Sequence, residues 1–147
     1  MARTSHKGTF KPRHPDKYVG NLKKITFRSS WEHSFMQFLD NNPNVVRWGS
    51  EPFPIPYIKP TDQKIHNYYP DFWVEYVTKE NQVLQEIIEI KPLAQTQAPK
   101  LAGKKKKQQI YEAITYAVNA AKWKAAQEFC TKYNMKFRIM SENQMFK

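Results

Sequence analysis

Apolar residues recur at helical spacing through Trp31, Phe35, Phe38 and Leu39, and the pattern then shortens to that of strands. Ser29 stands where an N-cap belongs, and Glu32 three residues later offers a capping box. Asn41-Asn42-Pro43 ends the run, so the spacing predicts a first helix between these signals. Val45-Val46-Arg47-Trp48 predicts a short strand. Glu51 to Ile58 carries prolines at 52, 54 and 56, which suits an edge or extended segment because proline cannot donate to a ladder. Asp71 to Val77 and Leu84 to Lys91 are rich in β-branched and aromatic residues and predict two strands, joined by a five-residue hairpin loop, Thr78 to Gln82. Residues 92–103, with His66 further back, read as loop. A long helix is predicted from Lys104 to Tyr133, with Ile110, Ile114, Ala117, Val118, Ala121 and Ala125 facing inward. Lys136 to Met140 predicts a last strand, and Ser141 caps a short terminal helix. The order α-β-β-β-α-β places the chain in the α/β (α+β) class. Trp48, Trp73, Trp123 and Cys130 are expected in the core.

At 147 residues the chain fits one compact domain. Residues 1–24 lack any period and mix Pro, Gly, Lys and His, which predicts an extended basic arm ahead of a domain over 25–147. There is no apolar run of membrane-spanning length, and the basic N-terminus has no apolar stretch behind it, so neither a span nor a secretory signal is expected. A single cysteine, Cys130, cannot form an internal disulfide, which makes a reducing compartment the default. No Cys/His spacing suggests zinc.

Charge changes the picture more. Twenty-four Lys and Arg against 13 Asp and Glu give +11, a field that attracts polyanions such as DNA, RNA or an anionic membrane. It is concentrated in residues 1–28 and in the acid-free stretch from Lys91 to Lys107. The candidate DNA contacts are therefore Arg13, Lys23, Lys24, Arg28, Lys104, Lys105, Lys106 and Lys107. A lysine run at a helix N-terminus opposes the helix dipole. Either DNA phosphate compensates it or the first turn frays.

The candidate chemistry follows from register. If Val77 faces Val83 across the hairpin, Asp71 falls opposite Glu89, and period two brings Lys91 to the same face. Opposed Cβ atoms lie roughly 4.5–5.5 Å apart, and two carboxylates held so repel unless a cation or proton sits between them. Hard oxygen ligands at strand ends suit Mg²⁺, with Mn²⁺ as a substitute. Lys91 would orient a water or the phosphate, or act as a simple electrostatic clamp. The competing reading is an ordinary cross-strand ion pair on a solvated face. Glu32 has a complete explanation as a capping residue. Yet Phe35, Met36 and Leu39 follow it at i+3, i+4 and i+7, which sets it beside the buried face, where a metal would satisfy it. Glu86 has the opposite parity to Glu89, and Glu75 shares the face of Asp71 near the far end of the hairpin.

Tyr69-Pro70-Asp71 followed by Ile88-Glu89-Ile90-Lys91 resembles the PD…ExK signature of the restriction-endonuclease-like superfamily. Around it lie Phe27-Arg28-Ser29-Ser30-Trp31-Glu32, Trp48-Gly49-Ser50-Glu51-Pro52, Ile55-Pro56-Tyr57, Asn119-Ala120-Ala121-Lys122-Trp123 and Phe137-Arg138-Ile139-Met140-Ser141-Glu142. This series is similar to the head completion nucleases of T-even-like tailed bacteriophages and, more distantly, to the TnsA transposon endonucleases. The likeness covers about residues 25–145. It implies a restriction-endonuclease-like core, a mixed β-sheet flanked by helices. It also implies metal binding by Asp71, Glu89 and the Ile90 carbonyl, with Glu32 completing the site and Lys91 catalytic. The RecB-like branch adds a Gln-x-x-x-Tyr motif on the following helix; here Gln108 is followed by Glu112 and Gln109 by Ala113, which leaves both glutamines without a role.

The implied activity is Mg²⁺-dependent hydrolysis of phosphodiesters in packaged double-stranded phage DNA, before the tail joins the head. The implied setting is the host cytoplasm during assembly, or the virion itself, with portal or neck proteins as partners and no membrane. Two other readings stand beside it. One is a junction-resolving or transposon-type endonuclease on the same fold. The other is a basic head or neck protein that binds DNA without cutting.

Overall fold

The computed structural model describes residues 7–145. In chain order it contains β1 (Gly8–Thr9), β2 (Thr26–Phe27), α1 (Ser30–Asn41), β3 (Val45–Ser50), β4 (Ile55–Lys59), β5 (Lys64–Tyr68), β6 (Phe72–Val77), β7 (Val83–Ile90), α2 (Lys106–Lys132), β8 (Lys136–Met140) and α3 (Glu142–Met145). The main sheet runs β3-β6-β7-β8. β3, β6 and β7 are antiparallel neighbours, and β8 joins β7 in parallel after the α2 crossover, so the sheet is mixed. With α1 and α2 it reproduces the expected α-β-β-β-α-β order. The hairpin register also holds, with Val77 opposite Val83 and Phe72 opposite Ile88.

Alternation along the strands splits the core into two layers. Phe72, Val74, Ile88 and Ile90 meet Trp31, Phe35, Met36 and Leu39 of α1 on one face. Ser29 caps that helix by accepting the Glu32 N–H at 3.2 Å. On the other face α2 brings Ala126 against Ile55, Tyr57 and Tyr68, while Cys130 is fully buried as expected. Only half of α2 does this. Val118, Ala121 and Ala125 pack, whereas Ile110, Ile114 and Ala117, predicted to face inward, are exposed. The reason is length: 27 residues span about 40 Å, more than strands of five to eight residues can cover. Trp48 is fully buried, but Trp73 is only partly covered, with the Arg47 guanidinium 5.5 Å over its ring.

One strand escapes the sequence pattern. Lys64–Tyr68 pairs with Ile55–Lys59 in a separate two-stranded sheet, so His66 stands in a strand opposite Tyr57 and not in a loop. Its polar composition offers no apolar alternation to detect. Among the described residues, no helix is long and apolar enough to cross a membrane.

The larger correction concerns the arm. Residues 1–6 lie outside the described residues, but from Gly8 the segment is laid onto the domain. β1 pairs with β2, Phe10 is buried, and the Phe10 N–H donates to the Ile25 carbonyl at 2.8 Å. Tyr18 meets the Trp48 ring edge-on at 4.7 Å, and the Val19 N–H donates to the Trp48 carbonyl at 2.8 Å. The basic residues serve α1: the Arg13 and His14 amides donate to the buried Asp40 carboxylate at 2.7 and 3.0 Å. Lys17 Nζ donates to the Asp40 and Asn42 carbonyls at 2.9 and 2.8 Å, satisfying the open C-terminal end of the helix. Irregularly spaced anchors leave no period, which is why the sequence suggests a free arm.

Gly49 marks how closely this wrapping fits. A Cβ there would lie 2.9 Å from the Val19 carbonyl oxygen, a backbone atom. Gly49→Ala is expected to cost about 1–3 kcal/mol by forcing the two segments apart. A thermal melt measures it, and an unchanged midpoint would mean that residues 18–20 yield freely.

Candidate active site

Asp71 immediately precedes β6, and its carbonyl is fixed by the Glu51 N–H at 2.9 Å. Extending the observed register by one step sets it against Glu89 near the end of β7. Asp71 Oδ2 accepts the Ile90 N–H at 2.8 Å. Glu89 is buried; its Oε1 accepts the Tyr68 hydroxyl at 2.6 Å and its Oε2 lies 3.8 Å from Lys91 Nζ. The Lys91 N–H donates to the Met140 carbonyl at 2.9 Å, so β8 fixes the backbone from which this lysine projects. Burial pushes both carboxyls above their ordinary range, and for Asp71 the charge of Glu89 adds to the effect. Burial and then Glu89 raise Tyr68 as well, which keeps its hydroxyl a donor.

Glu32 comes from the other layer, at the first turn of α1. Its carboxylate accepts from Ser29 Oγ at 3.2 Å and from the Arg28 N–H at 3.5 Å, and its charge acts on Asp71 through space. Arg28 also reaches this corner, bound to Glu51 and within the field of Glu32 and Asp71. Glu51 adopts φ of 45°, a left-handed conformation unusual for a side chain of this kind. Asp71, Glu89, Ile90, Lys91, Glu32 and Arg28 are thus brought together.

The other predicted contacts are not part of this group. Lys104 pairs with Glu112 at 2.7 Å, Lys105 is the N-cap of α2, and Lys106 and Lys107 open the half of that helix that stands clear of the sheet. Arg13 sits by Asp40, at the end of α1 opposite Glu32. Lys23 and Lys24 are exposed on the turn Leu22–Lys24. Glu75 pairs with Arg47 at 2.9 Å, and Glu86 lies on the α1 face with Arg138 at 3.2 Å. A cavity of about 560 Å³ on that face is lined by Phe38, Tyr76, Glu86 and Arg138 and by none of the site.

Two residues near the site are not assigned from sequence. Tyr68 is one. The other is Lys122, half-buried on α2, with Nζ 5.9 Å over the Tyr57 ring and 5.8 Å over that of Tyr68. A signal for it exists: Lys122 falls near the stripe Asn119, Ala126 and Cys130, the buried positions of the helix.

Among the described residues, no three His, Cys, Asp or Glu side chains converge closely enough to hold a metal ion on their own. What converges is a pair of carboxylates: Asp71 uses one oxygen on the Ile90 N–H, and Glu89 uses one on Tyr68 while the other lies 3.8 Å from Lys91 Nζ. That donor set fits a hard cation such as Mg²⁺, which retains several waters and needs one or two carboxylates. It does not fit zinc, which takes four nitrogen, sulfur or carboxylate ligands.

A helix-flanked mixed sheet, with an aspartate and a Glu-x-Lys meeting at the ends of adjacent strands, is the restriction-endonuclease-like fold. A model of the TnsA-like endonuclease N-terminal domain matches residues 42–142. A head completion nuclease of Enterobacteria phage T4 is 40% identical over 143 residues, covering 95% of this chain and 93% of its own length. No solved structure matches the chain. The chain belongs to the TnsA-like endonuclease family.

Proposed function

We propose that the protein is a Mg²⁺-dependent deoxyribonuclease that hydrolyses phosphodiester bonds of packaged phage DNA during head completion, before head and tail join. The observation that carries this is the opposed pair Asp71 and Glu89 with Lys91 beside it, on strand ends fixed by β5 and β8. The setting in head completion is carried over from the name of the phage relative.

Asp71, Glu89 and the Ile90 carbonyl would hold the cation. When bound, it supplies Lewis-acid charge to a phosphate oxygen and makes an attacking water more acidic. The protein's own groups do the rest. The Ile90 amide and the Tyr68 hydroxyl hold one oxygen of each carboxylate and so restrain their orientations. Lys91 offers an ammonium to the phosphate, offsetting the repulsion between a polyanion and two carboxylates. Supercoiled plasmid and linear duplex, incubated with Mg²⁺ or Mn²⁺ and with EDTA, test this. Cleavage that stops in EDTA is expected, and nicking separates from end trimming in the same assay. Metal-independent cleavage, or none, would overturn the reading.

Glu32 adds negative charge to the metal corner without closing the cage. Glu32→Gln keeps a side chain able to accept hydrogen bonds at the helix start, so the melting temperature should change little. The Mg²⁺ concentration for half-maximal cleavage is expected to rise roughly tenfold or more, as for groups just outside a metal's ligands. Full activity at limiting Mg²⁺ would remove Glu32 from the site and leave it a helix cap.

A further inference from the structure

The hairpin of β4 and β5 pairs with no strand of the main sheet. Its root is bound to the site, because Tyr68 at the end of β5 donates to Glu89. Its inner face, against α2, carries Ile55, Tyr57 and Lys59 on one strand and Lys64, His66 and Tyr68 on the other. Lys59 and Lys64 are directly opposed. Like charges so placed destabilise a hairpin, and an anion lying over both would reverse the sign. Asp62 in the turn is already engaged by the Lys64 amide at 3.0 Å and by His66 at 2.8 Å.

Lys122 joins this pair to the site. Its ammonium stands over Tyr57 and Tyr68, on the same face. The charges of Lys91 and Lys59 both act on it, as does that of Glu89. Same-face positions along the strand follow in steps of about 6.6 Å. Lys91, then Lys122, then the opposed pair Lys59 and Lys64 therefore lead from the paired carboxylates to the hairpin tip.

We propose that Lys122, Lys59 and Lys64 form a phosphate track, along which the backbone of the DNA strand leaves the site on the inner edge of the β4–β5 hairpin. This rests on the nuclease reading above. DNA is the occupant because the track is a run of like charges continuous with the proposed phosphodiester site, and among the described residues the one carboxylate of the turn, Asp62, faces two lysines and is already bound by the Lys64 amide and His66. The lysine run at the start of α2 is the less suited surface, because Lys104 is neutralised by Glu112.

The test uses the full chain with a fluorescent 30-base-pair duplex in EDTA, over a series of salt concentrations. Lys59→Ala/Lys64→Ala is compared with Lys79→Ala/Lys136→Ala, which removes the same charge at the opposite end of the sheet. The hairpin variant is expected to flatten the slope of log affinity against log salt by about 2, one for each phosphate no longer neutralised. The control should alter it much less. In cleavage, Lys122→Met should lower kcat/KM on duplex roughly tenfold or more, and Lys122→Arg should restore most of it. A purely structural stem would be served by Met. An unchanged slope in the hairpin variant, equal flattening in the control, or full activity of Lys122→Met would overturn the track. Wild-type protein that cuts DNA under those outcomes would leave the nuclease reading standing; wild-type protein that neither binds nor cuts would remove both.

Discussion

Asp71→Asn is expected to abolish cleavage, with a loss on the order of 10³-fold or more, while the protein melts no lower than wild type. Asparagine retains an oxygen to accept the Ile90 N–H, so the local backbone keeps its partner. What disappears is the negative charge opposite Glu89, a repulsion that the metal-free protein carries at a cost. The wild-type midpoint should rise with added Mg²⁺, because an ion that binds only the folded state stabilises it. The variant should lose that rise. A plasmid-nicking time course and a melt with and without Mg²⁺ measure both effects. Cleavage at the wild-type rate would exclude Asp71 from the site.

Deleting residues 1–24 is expected to unfold the domain or lower its midpoint severely. Removal of a buried aromatic such as Phe10 alone costs about 3–5 kcal/mol. The deletion also uncovers Trp48 and strips Asp40 and the C-terminal carbonyls of α1 of their donors. Native stabilities of roughly 5–15 kcal/mol leave little after such a loss. A free arm predicts otherwise: an unchanged melt and only a flatter salt dependence of DNA binding.

The contrast shows which parts of this molecule a sequence reveals. The β6–β7 register was legible because two strong strands joined by a short loop have few ways to pair, and it carried Asp71, Glu89 and Lys91 with it. Helix α1 was legible because Ser29, Glu32 and Asn42-Pro43 mark both ends. The wrapped N-terminus was not, since Phe10, Tyr18 and Ile25 reach the same core from positions with no repeat between them. β5 was hidden by its polar residues, and with it the position of Tyr68. Lys122 was hidden by its type: a lysine on a buried stripe declares nothing until the tyrosines beneath it are in place. The reach of α2 beyond the sheet was invisible too, because a helix's own pattern does not say how long its partner is.

The parallel pairing of β8 with β7 has a consequence in time. Lys91 takes its backbone position from Met140, and that residue is synthesised only after the whole of α2. In a growing chain both carboxylate-bearing strands are therefore present before the partner that anchors the lysine exists. Pairings across so long a stretch close late. On the nuclease reading proposed above, the pairing that seats Lys91 waits until the last strand of the sheet has been made.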